Sequence, residues 1–167
     1  MKIKGFTLID LLVVLAIIGI LSVIGFFAFE RFVANSKSKT AKKYHTDICN
    51  LIKTKAIQCK LTKGKINFTD DEGRNWSLNC PVSSSSTARD YFSREVSSVF
   101  KNPFEANRRG VVASPNIKKD GLLDSRYWGL VSLVPSGNNI IVYTNIGRVD
   151  GNNNKGNIKE CVAKVVF

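Results

Sequence analysis

The strongest constraint on the fold is a long apolar run near the amino terminus. Between Leu11 and Phe29 the chain reads LLVVLAIIGILSVIGFFAF, nineteen residues without a charged side chain. A helix rises about 1.5 Å per residue, so a run of this length covers most of the roughly 30 Å hydrocarbon core of a bilayer. The run therefore predicts a membrane-spanning helix.

An ordinary secretory signal peptide is the first alternative, because Lys2 and Lys4 precede the apolar run. The run is longer than the roughly seven to fifteen apolar residues of such a peptide, and no A-x-A-like cleavage site follows it. An acid, Asp10, also stands directly before it. We therefore expect the segment to stay in the mature protein as an anchor.

The positive charge is concentrated just after the run. The chain has 25 Lys and Arg against 13 Asp and Glu, a formal net charge of +12. Residues 31–65 carry ten of the basic side chains and one acid, Asp47. This surplus favours anionic partners such as phosphates or anionic lipid. The single histidine, His45, and the lack of a His/Cys cluster argue against a zinc site, a histidine-based triad and hence an enzyme.

The opening KGFTLIDLLVVLAIIGIL resembles the class III leader of type IV pilins and of the pseudopilins of type II secretion. The resemblance rests on residues 4–9, Lys-Gly-Phe-Thr-Leu-Ile. It implies cleavage by a prepilin peptidase between Gly5 and Phe6, followed by methylation of the new amino terminus at Phe6. The expected domains are a leader at 1–5, a transmembrane and assembly half-helix at 6–30, and an exported globular domain at 31–167.

Asp10 is an acid at the edge of the hydrocarbon, where a charge costs roughly 2.5 to 3.5 kcal/mol unless it is paired. The family normally has glutamate here, and the resemblance implies that the acid pairs with the Phe6 amino group of an adjoining subunit during assembly. The alternative is an acid that reaches the membrane edge without a specific partner.

The helical pattern continues without proline from Phe6 to about Leu61. Apolar residues at three- and four-residue steps predict a face that packs on the globular domain: Ala41, Tyr44, Ile48, Leu51, Ile52 and Cys59. Four lysines, which we call the lysine stripe, fall within about 100° of one another on the other side of the helix: Lys39, Lys42, Lys43 and Lys53. A stripe of this kind is compatible with contact to the DNA backbone, which is left open here. The alternatives are a solvated face, pairing with a neighbour's acids, and proximity to anionic lipid.

After Lys65 the chain breaks into short segments between turn residues. Thr87 and Asp90 resemble a capping box that opens a helix ending near Phe100, and Ser83–Ser86 indicate a flexible loop. Segments at 128–134, 140–144 and 158–166 are rich in Val, Ile and aromatics, and SGNN predicts a hairpin between the first two. We therefore expect an α+β, pilin-like fold in which a long helix packs on a small antiparallel sheet. His45 is expected on the flank of the helix rather than in a functional site.

Four cysteines lie on the exported side of the anchor, where disulfides persist. Cys49 and Cys59 are ten residues apart on one helix, about 15 Å along its axis, and a disulfide needs Cα atoms within about 7 Å. Two connectivities remain. We prefer Cys59 with Cys80 and Cys49 with Cys161, because the carboxy-terminal strand should return to the helix.

A calcium loop is considered at Asp150, Asn152 and Asn154, which repeat the D-x-N-x-N spacing. Lys155 and Cys161 stand where an EF-hand needs glycine and glutamate, so a plain Asn/Gly turn is the better interpretation and no metal or cofactor is expected.

Together these features predict a structural subunit of a type IV pilus. It is inserted first in the inner membrane as a single-pass precursor and then packed into a fibre on a bacterial surface. The expected partners are other pilin subunits, the prepilin peptidase, the inner-membrane assembly machinery and, before assembly, the inner membrane; DNA is left open as a further partner. DNA uptake, adhesion and motility are left open as roles of the fibre. The alternatives are a type II secretion pseudopilin and a dedicated DNA-binding minor pilin.

Overall fold

The computed structural model describes residues 7–62, 64–70, 72–113, 122, 125–147 and 157–166. The chain forms two compact units, Met1–Ser36 and Lys37–Phe167. The expected boundary at residue 31 therefore lies a few residues before the start of the second unit.

The long helix α1 runs from Leu8 to Thr62, which confirms the expected helix. No proline interrupts these 55 residues, and their first part is dominated by apolar helix-compatible side chains. Among the described residues α1 is the one helix long and apolar enough to cross a membrane. Gly19 and Gly25 lie inside it, with open space where a Cβ atom would stand.

The second half of α1 packs on the globular unit through the face that the periodicity predicts. Ile48, Ile52 and Cys59 are buried there, and Tyr44 and Leu51 pack at the edge. The expected face was drawn too narrow, because the structure also buries Ser38, His45, Cys49 and Ala56. The prediction that His45 lies on the helix flank is therefore wrong.

Strands β1 (Lys65–Thr69) and β2 (Asn75–Asn79) form an antiparallel hairpin directly after α1. Their side chains alternate between solvent and core, with Ile66, Phe68 and Leu78 buried. Lys55 of α1 reaches this hairpin and donates to the carbonyl of Asn67 at 2.7 Å. The hairpin was not among the predicted strands.

Helix α2 runs from Ser85 to Val99 and buries Ala88, Phe92 and Val96. Its N-cap is Ser84, whose hydroxyl accepts a hydrogen bond from the Ser86 N–H. The predicted capping box at Thr87 is therefore wrong by one turn. The loop predicted at 83–86 is wrong for Ser85 and Ser86, which belong to the helix. Serine is as good a cap as threonine, and the earlier cap lets the helix begin where Ser85 is buried.

The main sheet has the strand order β3-β4-β5-β6, with β3 at Val111–Val112, β4 at Val131–Ser136, β5 at Asn139–Asn145 and β6 at Ile158–Lys164. The β4–β5 hairpin is present, and Gly137 takes the positive φ of 55° that its two-residue turn requires. Strands β4, β5 and β6 are antiparallel. The short β3 pairs parallel with β4, which departs from the fully antiparallel expectation.

One main hydrophobic core joins α1, α2, the hairpin and the inner face of the sheet. Leu122, Leu130 and Ile158 form a second cluster, against which Tyr127 and Tyr143 pack. The fold is thus α+β, with a long helix on small sheets, as the sequence predicts.

Candidate assembly and interaction surfaces

The first unit presents an apolar helix surface. Large side chains along this part of α1 are exposed, among them Leu12, Ile20 and Phe32, at 62%, 64% and 69%. A continuous apolar surface of this kind is unfavourable in water, whereas hydrocarbon or packed neighbouring helices can cover it. The surface is therefore suited to a membrane or to a helical assembly.

Asp10 lies in the first turn of α1. Its Oδ2 atom accepts hydrogen bonds from the Thr7 backbone N–H at 3.0 Å and from the Thr7 hydroxyl at 2.7 Å. The carboxylate thus caps the start of the helix, in keeping with the favourable position of an acid at a helix N-terminus. Gly5 and Phe6, the expected cleavage and methylation residues, lie outside the described residues.

The lysine stripe is exposed in the second unit at all four positions. Lys43 forms an ion pair with Asp47 one turn later, with 2.8 Å between Nζ and Oδ2, and this carboxylate raises the pKa of Lys43. In the described part of the chain Lys39, Lys42 and Lys53 form no ion pair. The stripe therefore offers three unpaired ammonium groups along one helix face.

Acidic side chains that could meet the stripe are largely engaged within the chain. Lys55 pairs with Glu95 at 2.7 Å in a partly buried bridge between α1 and α2. The other described pairs of the globular unit are Asp70 and Glu72 with Arg74, Asp90 with Arg89, and Glu105 with Arg108. A neighbouring copy would have to break one of these pairs to bring that carboxylate to the stripe.

The helix–sheet interface contains the histidine. The Nδ1 atom of His45 lies 3.0 Å from the Thr144 hydroxyl oxygen, and both side chains are buried. Burial lowers the pKa of His45 below its ordinary 6.5, the charge of Lys159 lowers it further, and a hydrogen bond to the Glu160 backbone partly opposes them. A neutral, structural histidine results.

Two disulfides fasten the globular unit to α1. Cys49 is bonded to Cys161 of β6, and Cys59 to Cys80 beyond β2. Their Cα atoms are 6.5 and 5.3 Å apart. Both are the pairings that the sequence favours.

The turn of the β1–β2 hairpin is organised by Asp70. Its side chain accepts hydrogen bonds from the Arg74 backbone N–H at 2.9 Å, from Arg74 Nε at 2.8 Å and from the Trp76 indole at 3.3 Å. Desolvation alone would raise the pKa of Asp70, but these hydrogen bonds and the charge of Arg74 outweigh it and lower the pKa to about 2. Arg94 of α2 stacks on Trp76, with its guanidinium carbon 4.1 Å from the centroid of the ring.

The segment considered for a calcium loop, with Asp150, Asn152 and Asn154, lies outside the described residues. Within the described ranges no group of three or more His, Cys, Asp or Glu side chains is placed to hold a metal ion.

Sequence reasoning missed two features of this unit, the buried His45–Thr144 contact and the Asp70 turn. The sequence signal for the turn is the DDEG segment at 70–73, which was assigned only to a loop.

Comparison with known proteins adds the family. Residues 1–26 match the model of the prokaryotic N-terminal methylation motif. The chain is also similar to the type IV major alpha-pilin of Moraxella bovis, with 33% identity over 111 residues that cover 66% of this chain and 67% of that protein. No solved structure matches the chain significantly. The methylation motif, the apolar helix and this relationship show that the chain belongs to the type IV pilin family.

Proposed function

We propose that this chain is a structural subunit of a type IV pilus, made as a single-span inner-membrane precursor and packed into an extracellular fibre. The observation that carries the proposal is the exposed apolar surface of α1, which begins within the matched methylation motif. The relative is a major pilin by name, and its similarity extends well beyond the motif. The role is structural rather than enzymatic.

The proposed route starts with removal of residues 1–5 by a prepilin peptidase and methylation of Phe6. The assembly machinery then moves the apolar helix from lipid into a fibre core formed by other copies. Apolar side chains gain little from this transfer, because lipid is as apolar as the core. Packing and pairing of Asp10 with the Phe6 amino group of an adjoining subunit must therefore set the register.

The test is electron microscopy of purified surface filaments combined with mass spectrometry of the subunit's amino terminus. We expect filaments that contain this chain and begin with a methylated Phe6. A subunit secreted without residues 6–29 contradicts the proposal. A deletion that abolishes protein secretion but leaves surface fibres intact identifies the chain as a pseudopilin instead.

A second function, binding of duplex DNA by the lysine stripe, is favoured by the unpaired Lys39, Lys42 and Lys53. Each neutralised phosphate releases counterions, and repetition along a fibre multiplies weak contacts. Such contacts do not depend on base sequence.

A gel shift of the full chain in nonionic detergent tests this function. Affinity for duplex DNA should fall steeply with salt. Changing the four stripe lysines to glutamate should abolish the shift, and changing them to arginine should preserve it. Absence of a shift at low salt, or equal binding by the glutamate variant, contradicts the function.

A further inference from the structure

A second cationic surface lies in the globular unit, far along the chain from the lysine stripe. It is formed by the segment from Lys101 to Gly110 and by the short 3-10 helix Ser125–Tyr127 with the residue after it. Its cations are exposed and its aromatic rings partly buried. We call it the basic–aromatic loop surface and define it by Lys101, Phe104, Arg108, Arg109, Arg126 and Trp128.

The loop is closed at its base and held in one conformation. Lys101 and Arg109 form an antiparallel bridge, and a Cβ atom on Gly110 would lie 2.4 Å from the Phe100 carbonyl oxygen. Only glycine allows this approach. Inside the loop the buried Asn102 donates to the Trp128 carbonyl at 2.8 Å and accepts from the Phe104 N–H at 2.8 Å. The aromatic and basic side chains therefore project from a fixed scaffold.

The bridge places two like charges opposite each other. Lys101 and Arg109 are direct cross-strand partners, both side chains are exposed, and neither forms an ion pair within the described residues. Like charges in this arrangement are destabilising. Arg108 lies nearby, where its guanidinium donates to the Arg126 carbonyl and pairs with Glu105. An anion bound between Lys101 and Arg109 would attract both cations and offset their mutual repulsion.

The surface also has the aromatic rings that the lysine stripe lacks. The Phe104 and Trp128 ring centroids are 5.9 Å apart and tilted by 59°. The Arg126 guanidinium lies 5.9 Å from the Tyr127 ring centroid. Phe104 fits against Gly129 and Gly147, where a Cβ atom would lie 2.8 Å or less from its ring. Trp128 packs against the Phe104 ring on one side and remains partly exposed to solvent.

We propose that the basic–aromatic loop surface binds single-stranded nucleic acid. Lys101, Arg109 and Arg126 contact backbone phosphates, and Trp128 stacks on an unpaired base. Cations beside a partly exposed aromatic ring are the combination that single-strand binding uses. Duplex DNA offers the phosphates but keeps its bases stacked inside, and an acidic polysaccharide offers the charge without a base. The proposal does not depend on the lysine stripe, since different residues carry it.

Tryptophan fluorescence tests the proposal directly, because the chain has two tryptophans. In the full-length W76F variant, kept in nonionic detergent, Trp128 is the remaining reporter. Oligo-dT at low salt should quench its emission, because a stacked base quenches indole. Duplex of equal charge, polyphosphate and an acidic polysaccharide should leave the emission largely unchanged.

Matched variants are compared by the fluorescence anisotropy of labelled oligo-dT. The triple variant K101Q/R109Q/R126Q should weaken binding at least tenfold and reduce the slope of log affinity against log salt by about 2. The control K39Q/K42Q/K53Q removes the same charge from the lysine stripe and should weaken binding less than the triple variant does. W128L should weaken binding about 5- to 100-fold. Near-UV circular dichroism and intact disulfides establish that each variant is folded.

Three results overturn the proposal. The first is the absence of quenching at low salt. The second is equal quenching by the acidic polysaccharide or by duplex, which would assign the surface to those ligands. The third is an equal loss of oligo-dT binding in the folded triple variant and in its stripe control, which would leave only net charge as the cause. Filament assembly by all these variants is expected to persist, so a failure here is distinguishable from failure of the proposed pilin function.

Discussion

The Nδ1 atom of His45 lies 3.0 Å from the Oγ1 atom of Thr144, and this contact joins the buried face of α1 to strand β5. The two residues are 99 positions apart in the chain. From β6, the charge of Lys159 and a backbone hydrogen bond of Glu160 act on the ring. The chain's single histidine is therefore part of the interface between the sheet and the helix.

This contact predicts a loss of stability in mild acid. Because the pKa of His45 is lowered in the folded state, its stabilising contribution is complete above 6.5 and is lost as the pH falls through the folded pKa. The free energy of unfolding, measured by denaturant titration in nonionic detergent, should therefore fall between pH 7 and pH 5. H45Q keeps a polar partner for Thr144 but cannot titrate, so its pH slope in this range should be smaller. Identical slopes would contradict the assignment.

The Asp70 turn predicts a second, more acidic transition. The folded pKa of about 2 lies below the ordinary value of 3.8, so the contribution of Asp70 is present above 3.8 and disappears as the pH falls toward 2. Trp76 donates to this carboxylate, and its fluorescence in a W128F background should report the change. D70N should lower the stability of the hairpin at pH 7 and remove this acid transition. A transition that persists unchanged in D70N would assign it to another carboxylate.

The two disulfides predict unequal losses of stability. Cys49–Cys161 joins residues 112 positions apart, and Cys59–Cys80 joins residues 21 apart. In the loop-closure model the first stabilises by about 5 kcal/mol and the second by about 3 kcal/mol. The paired variants C49S/C161S and C59S/C80S, compared by denaturant unfolding, should keep this order. The reverse order would show that native packing around the bridges outweighs the entropy of the unfolded chain.

Local patterns predicted the parts of the fold that a single segment determines. The 3.6-residue period located the buried face of α1, and the SGNN turn located the β4–β5 hairpin. The same period places His45 on this face, but it could not identify the partner of the buried imidazole, because the Thr144 hydroxyl lies 99 residues away in the chain. Likewise, β3 has two residues and gains its pairing from β4, so no local pattern predicts it.

Other misses had a signal in the sequence. Ile66 and Phe68 alternate with polar residues, as do Trp76 and Leu78, which is the pattern of a half-exposed hairpin. The N-cap of α2 was misplaced because several serines and a threonine in succession all suit a cap, and burial of Ser85 decides among them. The apolar surface and the lysine stripe both lie on one helix, α1, and the sequence predicted both. The basic–aromatic loop surface joins residues from two separate segments, which only the fold brings together.

Asp10 predicts a variant that separates membrane insertion from assembly. Within one chain its carboxylate is satisfied by the Thr7 N–H and hydroxyl, so removing it should leave precursor processing and insertion intact. In a fibre core the newly formed Phe6 amino group of an adjoining subunit needs a negative partner, because an unpaired charge there is costly. D10A should therefore be cleaved normally but incorporate poorly into filaments, as measured by immunoblots of membrane and sheared-fibre fractions. D10N, which keeps the shape without the charge, should fail similarly, and D10E should assemble because it restores the acid that the family normally carries. Normal incorporation of D10A and D10N would show that helix packing alone sets the register.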